Sequence, residues 1–382
     1  MIEPYDRVPF PVFFRETADF GDVYGGPGGF VFFDAHLLRP RERASKTVVI
    51  FNHPIGGGAW LPLVRGLAAA GHHVIYCNGR YRGNDTALIM EKCVVDLGRT
   101  IQHAKEEFGY ERVLLGGWSG GGSLSLYYQQ QAENPTVTHT PAGDPYDLTA
   151  AALVPADGVM LLAAHVSRAG TLTEWMDASI LDEREPHRKD PELDLYNRDN
   201  PNQPPYSEEF LERYRQAQVA RNARITAWAV ERLADLQRED GARKEHCFVV
   251  QGTMADPRWL DPAVDPNGRP PGRCYLGDPE TVNTGPTGLA RFTTLRSWLS
   301  QWSLEKSNAD GLACAADISV PVLVVNNGAD DACTPSHARR LYPAVSHTEK
   351  EFHEIAGATH YYLGQGDKLA EAVAICGDWI DR

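Results

Sequence analysis

Residues 113–122, VLLGGWSGGG, set a short apolar run directly against a serine held among glycines. Such a stretch leaves few options. Four extended, apolar residues require a buried strand, and the glycines require a bend that side chains would obstruct. The pattern G-x-S-x-G is met by Gly117, Trp118, Ser119, Gly120 and Gly121. A phosphate cradle would end in G-K-[ST], and a dinucleotide fingerprint would need G-x-G-x-x-G on an early strand. Neither is present. The remaining reading is a strained strand-to-helix turn that exposes the Ser119 hydroxyl, with the following helix N-terminus favouring negative charge beside it.

The surrounding text fits that reading. Strand-like runs (29–38, 46–54, 73–79, 112–118, 157–166) alternate with helical patterns, among them 87–109 with Ile89, Val94, Leu97 and Ile101 near one face. This rhythm predicts an α/β fold with a mostly parallel central sheet and helices on both faces. From residue 167 to 316 the rhythm breaks into proline-rich loops, a long helical stretch beginning SEEFLERYRQ, and five of the eight tryptophans. It resumes with strands at 318–328 and 349–357 and a closing helix, DKLAEAVAICGDWI, with Asp367 as its expected N-cap. The expected organisation is a core in two parts, 1–166 and 317–382, around an inserted, mainly helical cap or lid at 167–316. A second independent domain is the alternative. Within the insertion, LARFTTLRSWLSQW reads as an amphipathic helix over the site, and most of the aromatics as the cap's own core.

The formal net charge is -14, which disfavours nucleic acid and anionic membrane as partners. No run approaches the ~20 apolar residues of a membrane span, and the first residues lack the basic and apolar regions of a secretory signal. The seven cysteines are odd in number and include no C-x-x-C pair, so neither a disulfide framework nor a zinc site is expected, and a cytoplasmic setting suits them. No metal and no cofactor is called for. The oligomeric state is left open.

A serine hydroxyl needs a base and an orienting carboxylate. The segment PVLVVNNGADDACTP carries Asp330 and Asp331 just past a strand, and GATHYY carries His360 just past the next. With these three elements in place, the sequence resembles the α/β-hydrolase family over roughly 29–166 and 317–381, as a serine esterase with a large inserted cap. The resemblance assigns the nucleophile to Ser119, the acid to Asp331 through a G-x-x-D pattern from Gly328 with Pro335 beyond, and the base to His360. It also implies oxyanion donors at the backbone of Ile55, in NHPIGGG, and of Gly120. Pro54 departs there from the family's usual glycine. His53 and the RYRGND turn are expected to be structural. Trp118 and His165 are the expected substrate-binding residues, although His165 also fits an ordinary satisfied histidine. These assignments imply a cofactor-free serine hydrolase that cleaves a carboxylic ester of a hydrophobic or aromatic small molecule through an acyl-enzyme. Thioester, amide, lactone or C–C hydrolysis and acyl transfer would use the same residues. A catalytically inactive fold serving as a ligand receptor is the alternative of another class.

Overall fold

The computed structural model describes residues 4–16, 21, 23, 28–239 and 245–382. The first six strands are β1 (Tyr5–Arg15), β2 (Phe30–Pro40), β3 (Thr47–Asn52), β4 (Val74–Cys77), β5 (Arg112–Trp118) and β6 (Gly158–Leu162). Between them lie α1 (Pro62–Ala69), α2 (Met90–Glu106) and α3 (Gly120–Glu133). Residues 167–316 contribute α4 (Arg168–Trp175), α5 (Glu208–Glu239), β7 (Cys247–Val249), α6 (Pro257–Leu260), α7 (Pro279–Thr284), β8 (Phe292–Thr294) and α8 (Leu295–Gln301). The chain closes with α9 (Gly311–Asp317), β9 (Val322–Asn327), α10 (Pro335–Ala344), β10 (Lys350–Ile355) and α11 (Gly366–Ile380).

Eight strands form one sheet in the order β1-β2-β4-β3-β5-β6-β9-β10. β1, β2 and β4 pair antiparallel, and every pairing from β4 to β10 is parallel. The central strands TVVIFN and VLVVNN are buried on both faces, which is why they read as unbroken apolar runs. β1 carries Pro9 and Pro11, which a strand tolerates because it lies at the sheet's edge. α2 covers one face with Val94, Leu97, Ile101 and Ala104, all buried, at helical spacing. In α11 the cap position falls on Gln365, so Asp367 is not the N-cap; it sits in the first turn, where a carboxylate still opposes the helix dipole.

The two ends of the inserted segment are drawn together by a bridge between Ser167 and Asp310. Inside it, Leu172, Trp175, Ile225, Trp259, Trp298 and Trp302 form an apolar cluster separate from the two that flank the sheet. Trp298 and Trp302 stack at 5.1 Å. Two of the aromatics expected in that core, Trp228 and Phe292, are exposed. Ala309, Cys314 and Ala315 instead pack in the main core, so α9 stands with the body of the sheet rather than with the segment.

LARFTTLRSWLSQW is not one helix. Its first half is β8, paired with β7, and only its second half is α8. α8 is pinned to the start of α2 by Ser297, which donates to the carbonyl of Leu88, and by Ser300, which accepts from the amide of Met90. The residues that reach the site from this region are Thr287, Gly288 and Leu289, just before it.

Candidate functional site

Ser119 is the residue between β5 and α3, with φ 54° and ψ −123°. A non-glycine residue there stores about 1–3 kcal/mol of backbone strain, which the surroundings must hold in place. Three backbone bonds do so: the Ser119 amide donates to Leu162, its carbonyl accepts from the Gly122 amide, and the same carbonyl accepts from the His165 amide. The glycines are required by contact. A Cβ on Gly121 would lie 2.0 Å from the carbonyl oxygen of Asn52, and one on Gly117 would lie 2.7 Å from the Cα of Gly122. Two parallel strands and a helix thus converge on this bend too closely for side chains at positions 117 and 121.

His360 follows β10 and is 3% exposed. Its Nδ1 lies 2.7 Å from Oδ2 of Asp330, a fully buried carboxylate. The other oxygen of Asp330 accepts from the amides of Ala332 and Cys333, each at 2.8 Å. Both oxygens of this carboxylate are therefore engaged, and the imidazole is fixed with Nε2 left for other work. The carboxylate that meets His360 is not the expected Asp331 but its neighbour Asp330. The turn after β9 closes through a bond from the Asp330 amide to the Asn327 carbonyl, which turns the earlier aspartate toward His360. Asp331 reaches the surroundings through its backbone carbonyl, which accepts from the indole of Trp259. Burial, then the charge of Asp330, pushes its carboxyl up to about 6.

A second histidine stands at the serine. His165, just past β6, lies with Nε2 3.2 Å from Ser119 Oγ. It is buried, and that burial, followed by the charges of His337 and His53, holds its pKa well below the usual imidazole value. At neutral pH it is an uncharged hydrogen-bond partner. The thiol of Cys333 also contacts the Ser119 hydroxyl. Its Sγ, an oxygen of Asp330 and a nitrogen of His360 lie within 4.8 Å of one another, a spacing a metal ion could bridge. The carboxylate and imidazole of that trio are already engaged with each other.

Of the expected oxyanion donors, Gly120 directly follows Ser119 and Ile55 lines the same cavity as Ser119. The Gly120 amide opens α3, where first-turn amides have no intrahelical acceptor. The Ile55 amide makes a long 3.3 Å contact to Nδ1 of His53. His53 is more than a loop strut: it lines the cavity, and burial followed by the charge of Arg168 lowers its pKa to about 3.

Ser119, His165 and His360 open into a cavity of about 370 Å³. Its walls include Trp60, Leu61, Trp118, Trp175, Tyr275, Leu289 and Tyr361. Trp118 packs against His360 with ring centres 4.7 Å apart, so the expected pocket residue also supports the histidine. Sequence reasoning missed the hydrogen bond of Asp330 with His360, the contact of His165 with the serine, and Cys333. The two candidate acids are adjacent in sequence, and the other contacts join residues far apart in the chain.

No family model matches the chain. Over 68 residues it is 34% identical to an Escherichia coli protein described as an uncharacterized 31.7 kDa protein in the traX-finO intergenic region. That match spans 18% of this chain and 24% of the relative's length. Among solved structures, the chain resembles DcsB in complex with a substrate analogue, at 12% identity over 99% of each chain and a TM-score of 0.50. It also resembles the esterase domain of a Rhodothermus marinus protein, at 13% identity over 97% of each chain and a TM-score of 0.48. The sheet order, the parallel core and the serine bend after β5 together define the α/β-hydrolase fold, and the chain has that fold. No helix among the described residues is long and apolar enough to cross a membrane.

Proposed function

We propose that this protein is a serine hydrolase that cleaves a carboxylic ester of a hydrophobic or aromatic small molecule through an acyl-enzyme. The observation that carries the reading is the buried Asp330–His360 pair at 2.7 Å, beside a serine held at positive φ. A receptor has no use for a carboxylate that accepts two amides and an imidazole in order to orient one ring.

In this reading the Ser119 hydroxyl turns from His165 toward Nε2 of His360 as substrate enters. The carbonyl carbon takes the serine oxygen, and His360 takes the serine proton and passes it to the leaving alcohol. Asp330 keeps Nδ1 protonated and stabilises the imidazolium. The amides of Gly120 and Ile55 hold the oxyanion, the latter giving up its long contact with His53. Water, deprotonated by His360, then attacks the acyl carbon, and as the bond to Ser119 breaks His360 returns the proton to the serine oxygen and the acid leaves.

The walls of the cavity support an apolar substrate. Of two cations of the insertion that could meet a carboxylate, Arg296 is paired with Asp144, and Arg291 donates to Thr253 and to the carbonyl of Val282 with Nη1 left over. A fluorophosphonate probe tests the assignment. It should label the wild-type protein once, at Ser119, and should not label Ser119→Ala. Undiminished labelling of that variant would overturn the choice of nucleophile, and an unlabelled wild type would overturn the hydrolase reading.

A further inference from the structure

One wall of the cavity is not apolar. Asp85 lines it, and its Oδ2 accepts from Nη2 of Arg168 at 2.8 Å and from the Ala290 amide at 2.7 Å. Its Oδ1 has no hydrogen-bond partner among the described residues. Tyr275 lines the same cavity, and its hydroxyl is buried without a partner. Behind Asp85, the guanidinium of Arg168 is buried, with Nε on Gln301 at 2.7 Å and Nη1 unpartnered. Buried polar groups in native proteins are nearly always satisfied, so the unpartnered Tyr275 hydroxyl, on a wall that also presents the part-exposed Asp85 carboxylate, points to something that completes it.

We propose that this wall is a subsite for a neutral hydrogen-bonding group of the substrate, a hydroxyl or a primary amide carried on its apolar frame. The inference rests on the ester-hydrolase reading for the rest of the substrate. Asp85 Oδ1 supplies an acceptor, and the Tyr275 hydroxyl supplies a donor and an acceptor. A hydroxyl or amide can pair with either. Asp85 and Arg168 neutralise each other, while Arg291, a second cation within electrostatic reach of Tyr275, spends Nη2 on Thr253 and the Val282 carbonyl. An anionic group would meet the Asp85 carboxylate first, and a cationic group would meet the Arg168 charge behind it. The aromatic ring of Trp175, centred 5.3 Å from that of Tyr275, gives the frame an apolar surface beside the polar atoms. Burial keeps the Tyr275 phenol protonated through the working pH range.

Matched pairs of compounds test this. The esters are methyl hydrocinnamate and its para-hydroxy counterpart, compared by kcat/KM. The non-hydrolysable pair is benzylacetone and its para-hydroxyphenyl counterpart, compared by quenching of tryptophan fluorescence. In the wild type the hydroxylated member should be favoured about tenfold in both pairs, the worth of one well-made hydrogen bond. In Y275F the ratio should fall below about threefold, and in D85N it should fall likewise. Y275F stands as the test if loss of the Asp85–Arg168 pair unfolds D85N. Hydroxyl preference in ketone binding without any ester turnover would keep the subsite and count against the hydrolase reading. Equal treatment of both members by the wild type, or a preference unchanged in Y275F, would overturn the subsite.

Discussion

Asp331→Asn separates the two adjacent aspartates by a property other than activity. The Asp331 carboxyl is pushed up to about 6 by burial, then by Asp330, from an ordinary value of 3.8. The folded protein therefore holds a proton on Asp331, between those two values, that the unfolded chain has released. Stability tied to this group is fully present below the ordinary value and is lost as pH rises through the folded one. Above it, the folded state carries a charge it would rather not hold, by about 2 pKa units or about 3 kcal/mol. Asparagine removes that charge and keeps the shape. Asp331→Asn should thus stabilise the protein by about 3 kcal/mol at pH 8, but by only about half as much at pH 5, where much of the wild type is still protonated. Urea denaturation of both proteins at the two pH values reads the difference. Destabilisation at pH 8, or the same gain at both pH values, would show that Asp331 is paired or solvated and that the electrostatic reasoning fails.

Three further outcomes are expected. Gly121→Ala should destabilise the fold by about 1–3 kcal/mol or more, because its methyl would sit 2.0 Å from a backbone oxygen and the convergence at Ser119 must open; thermal unfolding measures it. His165→Ala should change kcat by about tenfold or less, the worth of one neutral hydrogen bond, and should leave the pH–rate profile unmoved, because a histidine held neutral does not titrate in the working range; a displaced profile would make His165 the base. Across a series of acyl groups on one leaving group, kcat/KM should rise from acetate to butyrate or benzoate, by about fourfold per buried methylene; a preference for acetate would mean that the aromatic walls close the cavity.

The elements that position the site were legible because their causes are local. VLLGGWSGGG specifies strand, bend and helix within ten letters, and the buried strands around it announce themselves by β-branched runs. His360 was legible because it stands just past such a strand. The choice between Asp330 and Asp331 was not, since both follow β9 and only the turn decides which carboxylate faces inward. That turn leaves a faint trace: an aspartate whose side chain caps the amides two and three residues on, as Asp330 does for Ala332 and Cys333. β1 went unread because its prolines argue against a strand until its edge position is known. β8 was absorbed into the helix that follows it, since three residues show no periodicity of their own. The contacts of His165 with Ser119 and of Arg168 with Asp85 span 46 and 83 residues, and nothing local encodes them.

Turnover of Asp330→Asn beside Asp331→Asn, on one ester the wild type cleaves, tests the central claim most directly. Asparagine at 330 can no longer hold the imidazole in the tautomer that accepts the serine proton, so kcat should fall about 10⁴-fold. Asparagine at 331 touches no reacting group and should leave kcat within about threefold of the wild type. A large loss at 331 with little at 330 would contradict the Ser119–His360–Asp330 account.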